Sequence, residues 1–270
     1  MIETTDAARV LVIEHGKVLE VRLNRPEKLN AIDDAMLTEL IAVGEGLASN
    51  GEVRAVVLSG EGRGFCSGRD LAVLSDSDSH RPAPERSPHR ITNRSQHAAW
   101  LWAELPMPVI AAIHGVAFGG GLQIALGADI RIVSADAKLS ILEIRWGLTP
   151  DITGTYTVSR LVGLDVAKEM TWTGRVVSGE EAVRLGLATR LAEDPREEAL
   201  TLAQTIASQS PDAVRASKRL LNSSLAATPE EQFLEEESTI ASLRGTKNQR
   251  EAVAAYLEKR SPTFNDPSAT

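Results

Sequence analysis

Three consecutive glycines, Gly119-Gly120-Gly121, end a strand-like run and open an apolar stretch, GLQIALGADI, that reads as a helix. Glycines at that point let a ligand approach the backbone closely at the positive end of a helix. Sites for an oxyanion or a phosphate are built this way. Gln123 follows, an amide where a catalytic carboxylate could stand, and two acids, Glu143 and Asp151, come further along. A second glycine-bearing turn, GRGFCSGRDL (62–71), lies upstream after another strand-like run. Its Ser67 N–H together with that of Gly120 would give an oxyanion two donors. Each segment alone is an ordinary turn; the pair suggests a hole for a developing negative charge.

The elements that must hold these residues follow from pattern. VLVIEHGKVLEVRLN (10–24) reads as a hairpin around His15-Gly16, and Asp33 as the N-cap of a helix over 34–48. RAVVLSG (54–60) and PVIAAIHG are buried strands, and HAAWLWAEL (97–105) is a helix stopped by the prolines after it. ADIRIVSADAKLSI supplies further strand, and the sequence from 152 onward is mostly helical. Strand alternating with helix means an α/β chain with a C-terminal helical segment. Residues 75–95 are polar, proline-bearing and aperiodic, which reads as a surface excursion that lids the site.

Other chemistries are excluded by what is missing. Gly115 to Gly120 has phosphate-loop spacing, but Gly121-Leu122 replaces Lys-Ser/Thr, so a triphosphate and its magnesium have no holder. Gly60, Gly62 and Gly64 lack the spacing of a dinucleotide turn, Phe65 standing where it would continue. The five histidines show no metal spacing, and there is no HExxH, CxxC or nucleophile elbow. Aromatics are 4% and the formal net charge is −8, which argues against nucleic acid. The single cysteine, Cys66, fits a reducing compartment and reads as core packing. No apolar run approaches the ~20 residues that span a bilayer, and no secretory signal is visible, so a cytoplasmic location is expected.

RPEKLNAID, GFCSGRDL, PVIAAIHGVAFGGGLQIALGADI and NQREAVAAYLEKRSPTF together resemble the crotonase family, the enoyl-CoA hydratases and isomerases. The resemblance implies an α/β fold: a crotonase-like spiral of ββα turns (1–200) and a C-terminal helical trimerisation segment (201–270). It also implies a homotrimer or a hexamer of paired trimers, an acyl-CoA thioester substrate, and no cofactor beyond the CoA the substrate carries. By motif position the oxyanion donors are the N–H groups of Ser67 and Gly120. The CoA contacts are Arg25, Lys28, Cys66, Arg69, Asp70 and Leu71, with Lys259 and Phe264 reaching a neighbouring subunit's site. Hydration benefits from two carboxylates, and the first falls on Gln123, which exchanges no proton at neutral pH. The second matches Glu143. Asp151 either joins it, as in dienoyl-CoA isomerases, or caps the next helix. The expectation is a (di)enoyl-CoA double-bond isomerase with Glu143 as base. A hydratase in which Asp151 replaces the missing acid is the alternative, and an acyl-CoA-binding member without strong catalysis is the other class.

Overall fold

The computed structural model describes residues 8–74, 86 and 90–267. Val10–His15 (β1) and Val18–Leu23 (β2) form the expected hairpin, with Gly16 turning at φ +67°. Asp34–Ala48 (α1) starts where expected, the Asp33 carboxylate accepting from Met36 N at 2.8 Å. Ala55–Gly60 (β3), Leu71–Leu74 (α2) and Arg94–Glu104 (α3) come next. The α3 helix begins earlier than its apolar run, because Asn93 and Gln96 make a reciprocal capping box ahead of it. Most of the expected lid (75–85 and 87–89) lies outside the described residues.

Val109–Ile113 (β4), Val116–Phe118 (β5) and Gly120–Leu126 (α4) form the central unit. Ile130–Val133 (β6) and Lys138–Ser140 (β7) lead through a 3-10 turn, Glu143–Trp146, to Gly154–Val162 (α5) and Leu164–Thr173 (α6). Val177–Ser178 (β8), Gly179–Leu185 (α7), Arg190–Leu191 (β9) and Pro195–Ala207 (α8) follow. Helices Pro211–Ser223 (α9), Pro229–Leu243 (α10) and Lys247–Glu258 (α11) complete the chain. The larger sheet runs β1-β2-β3-β4-β6-β9, parallel from β2 onward, and the smaller runs β5-β7-β8. In two successive passes the chain leaves a large-sheet strand, touches the small sheet and returns through a helix. The passes β4-β5-α4 and β6-β7-α5 repeat that spiral, though their sequences share no visible repeat.

One core lies between the large sheet and helices α1, α3 and α4, with Ile32, Met36, Leu40, Trp102 and Ile113 at its centre. A second packs Ala199, Ala203 and Ala207 of α8 against Val57, Ile110 and Ile132 of the sheet. A boundary drawn at residue 200 would cut through α8, so the core extends to the end of that helix. Helix α9 is tied down by Lys218, whose buried ammonium donates to Trp102 O (3.2 Å), Met107 O (3.0 Å) and Asp129 Oδ2 (2.7 Å). Burial lowers the Lys218 pKa and raises that of Asp129, and their mutual attraction opposes both shifts. Removing one partner of such a pair strands the other. Lys218→Met should therefore lose about 3 kcal/mol in denaturant unfolding, and a loss below about 1 kcal/mol would show the pair to be incidental. Among the described residues no helix is long and apolar enough to cross a membrane, and no side-chain cluster suits a metal ion.

Candidate active site

The glycine triplet sits where β5 becomes α4, and the protein itself fills most of the space it leaves. Gly119 adopts φ +49°, and a Cβ there would lie 3.1 Å from Glu143 Oε1. A Cβ on Gly121 would lie 2.6 Å from both Cys66 O and Cys66 Sγ, so that glycine lets α4 dock on the 65–68 turn. At Gly120 the nearest neighbours are only the side-chain tips of Ile152 (2.9 Å) and Ile32 (3.3 Å). As the first residue of α4, Gly120 has no helical acceptor for its N–H, and none is recorded among the described residues.

The second donor is not the one the sequence suggests. Ser67 N donates to Leu29 O at 2.8 Å, and the Ser67 hydroxyl donates to Lys28 O at 3.2 Å. Its amide is already engaged by the protein and cannot serve an oxyanion. Two residues on, Arg69 forms a parallel bridge with Ile32. Ile32 N donates to Gly68 O and Asp70 N donates to Ile32 O, so strand alternation turns the Arg69 N–H to the opposite side. That N–H has no acceptor among the described residues. Gly68, at φ +92°, brings this turn against the glycine triplet: a Cβ there would lie 2.7 Å from Phe118 O and 3.6 Å from Gly120 N.

Glu143 leans over Gly119 from the 3-10 turn after β7. Its Oε1 accepts from Gln123 Nε2 at 2.5 Å, whereas its Oε2 is buried without a partner among the described residues. Burial raises the carboxyl's pKa, and the nearby charge of Asp151 adds to the rise; the Gln123 bond opposes it. Gln123 is fully buried, and its Oε1 accepts from Ile152 N and Gly154 N, both at 2.9 Å. Each end of the amide is engaged by a protein group, and the side chain is shut off from solvent.

Asp151 does not cap α5. The N-cap is Thr153 at φ +67°, whose hydroxyl oxygen is buried without a partner among the described residues. Asp151 instead lines a cleft of about 300 Å³ with Thr92, Gln96, Trp100, Pro150, Thr153 and Tyr156 among its walls. Burial of its carboxyl raises its pKa, and the Arg69 guanidinium opposes the shift. Trp100 and Tyr156 meet edge to face at 5.4 Å.

A sequence profile of the enoyl-CoA hydratase/isomerase family matches residues 14–267. The chain belongs to this family. The short-chain-enoyl-CoA hydratase of Clostridium acetobutylicum is 34% identical to it over 255 residues, 93% of this chain and 95% of that one. The mitochondrial methylglutaconyl-CoA hydratase of Mus musculus is 32% identical, covering 97% and 85%. Among solved structures, Pseudomonas aeruginosa DspI superposes with a TM-score of 0.88 at 32% identity, covering 98% and 99% of the two chains. An enoyl-CoA hydratase from Bacillus anthracis superposes with a TM-score of 0.85 at 29% identity, covering 95% and 98%.

In this enoyl-CoA hydratase/isomerase the residues expected to meet CoA divide into three groups. Lys28 and Leu71 are exposed beside the Ser67 turn, with Leu71 53% accessible, and remain free to meet a ligand. Arg25 and Asp70 are spent on each other at 2.6 Å; Arg25 also reaches Ala31 O and Asp70 caps Ala72 N, so neither presents a free charge. The Arg69 guanidinium lies within 3.4 Å of Asp34, one of its nitrogens buried and unpaired. Cys66 is fully buried, its thiol donating to Asn30 O at 3.0 Å and pushed up to about 12 by burial, so it is core and not a CoA contact. Phe264 lies away from the site of its own chain, and Lys259 ends α11 in a left-handed conformation. Phe264 O accepts from Arg54, just before β3, whereas the site gathers past the far end of that strand.

Sequence reasoning overlooked Asn30. Fully buried at φ +55°, its Nδ2 lies 2.9, 2.9 and 3.1 Å from the carbonyls of Glu61, Gly64 and Phe65. It thereby shapes the loop that carries Arg69. The available signal was an asparagine in RPEKLNAID, a residue type that tolerates the left-handed region.

Proposed function

We propose that this enzyme moves a double bond within an enoyl- or dienoyl-CoA thioester, with Glu143 as the base. One observation carries the reading. Among the described acids and amides around the cradle, Glu143 alone pairs a buried oxygen that has no partner there with a place against the glycine triplet, while Gln123 has no proton to give. The thioester oxygen would be held by the N–H groups of Gly120 and Arg69, where enolate charge develops as a proton leaves carbon. The acyl chain would enter the cleft lined by Trp100, Tyr156 and Asp151, and exposed Lys28 and Leu71 would meet the CoA. Proton transfer of this kind needs no metal or redox group. Exposed Leu221, Phe233, Leu257 and Tyr256 on α9–α11 would be covered by assembly into a homotrimer or hexamer.

Hydration is the second reading, supported by Asp151 as a further carboxylate near Glu143 and by the hydratase names of the relatives. The two readings separate in a direct assay. The protein is given a 3,5-dienoyl-CoA, a 3-enoyl-CoA and a 2-enoyl-CoA, and the conjugated chromophore is followed in each. Isomerisation of one of the first two should outpace hydration of the third; hydration dominating by a wide margin would sink the isomerase reading. Asp151→Asn should leave 3-enoyl isomerisation within a few-fold of wild type if Glu143 works alone. A loss of roughly 10²-fold or more would make Asp151 a second proton carrier.

A further inference from the structure

The Gln123 amide can sit only one way round. Two backbone N–H groups, from Ile152 and Gly154, converge on one end of it at 2.9 Å, and only an oxygen can accept both. Turning the amide over would oppose three donors, so the N–H end is committed to Glu143 Oε1 at 2.5 Å. A carboxyl oxygen that takes up a proton becomes a poorer acceptor, so the bond from Gln123 disfavours protonation at Oε1. A proton on Glu143 is therefore favoured at Oε2, which is buried and has no partner among the described residues.

We propose that Gln123 is a positioning residue that assigns proton transfer to Oε2 of Glu143 and, through Ile152 and Gly154, fixes the loop bearing Asp151 to the same carboxyl. This rests on Glu143 being the base. It gives the glutamine a role that the loss of an acid does not. A neutral donor on Oε1 favours the ionised carboxyl, against the burial that disfavours it.

The charged groups around Glu143 leave Gln123 little competition. Asp151 faces it and opposes its ionisation, while Arg69 acts on Asp151. Arg145 on the same turn reaches Gly174 O. On α6, Lys168 lies over the Trp172 ring and Glu169 pairs with Arg175. On α5, Arg160 stacks on Tyr156, and α4 carries no charged side chain.

The test compares wild type with Gln123→Met and Gln123→Glu in two readouts. The first is the pH profile of kcat/KM on whichever enoyl-CoA the wild type turns over. The second is an infrared titration of the Glu143 carboxyl band, identified by its disappearance in Glu143→Gln, which needs no turnover. In Gln123→Met the carboxyl should titrate about one pH unit higher, with kcat falling and KM nearly unchanged. Gln123→Glu, the closer match in shape, keeps one oxygen on the two backbone donors and sets an anion against Glu143. Its shift should be larger in the same direction, and it alone suffices if the methionine variant does not fold. An unshifted carboxyl in a folded variant overturns the proposal. So does faster hydration by Gln123→Glu than by wild type, which would put position 123 in contact with water or substrate. A wild type inert toward every enoyl-CoA counts instead against the enzymatic reading, while the infrared midpoints still decide the role of Gln123.

Discussion

Glu143→Gln should lower kcat roughly 10³-fold while leaving KM within a few-fold, the signature of losing a group that acts mainly in the transition state. The substitution keeps an oxygen where Gln123 Nε2 can donate, so the bracket to the 152–154 loop survives. It also removes a carboxylate whose ionisation burial opposes, which the upward shift of its pKa expresses. Ionising such a group costs the folded protein stability at any pH above its ordinary carboxylate range, and that cost grows as the pH rises through its elevated folded-state pKa. The variant should therefore melt at or above the wild-type temperature at neutral pH while having lost turnover. Full activity in the variant would remove Glu143 from the mechanism, and a clear drop in melting temperature would make it a structural residue.

Gly120→Pro should lower kcat/KM by roughly 10²- to 10³-fold, the effect of losing one preorganised oxyanion donor, about 3 to 4 kcal/mol. Proline suits the first position of a helix, where the missing N–H had no helical partner, so α4 is expected to form. The added ring atoms meet Ile152 and Ile32, and crowding alone could depress activity. Gly120→Ala is the control, because it adds the Cβ and keeps the N–H. Near wild-type activity in the alanine variant with collapse in the proline variant isolates the donor. Equal losses in both would mean that the space above Gly120, and not its amide, is what the reaction needs.

Local pattern carried the parts of this molecule whose causes are local. The Asp33 cap, the His15-Gly16 hairpin and the buried β3 and β4 follow from residues within a few positions of each other, and the structure has them. The acid, the amide and the glycines of the site were also in view, because few residue types can stand against a fully buried α4. The choice between Ser67 and Arg69 was not. It turns on the bridge between Ile32 and Arg69 and on Leu29 reaching back to Ser67, contacts nearly forty positions apart that no local spacing encodes. The same holds for Gln123, whose meaning comes from two backbone groups and a carboxylate brought in from later turns of the spiral. Arg25 looked like a phosphate contact only while its partner Asp70, forty-five residues on, was unknown. Thr153 displaced Asp151 as the N-cap by taking up a left-handed conformation that threonine seldom adopts.

The tie from Lys218 to the carbonyls of Trp102 and Met107 bears on how the enzyme is made. Helix α3, which carries Trp100 into the cleft, ends near carbonyls satisfied by a residue 116 positions later in the chain. A ribosome adding about 5 to 20 residues per second needs roughly ten seconds to cover that distance. For the later part of that interval, once residue 143 has been added, the emerging chain has its glycine cradle and its glutamate, yet not the ammonium that closes the end of the wall. The contact that closes this end of the wall therefore forms late in synthesis, after residue 218 has been added and α9 has docked.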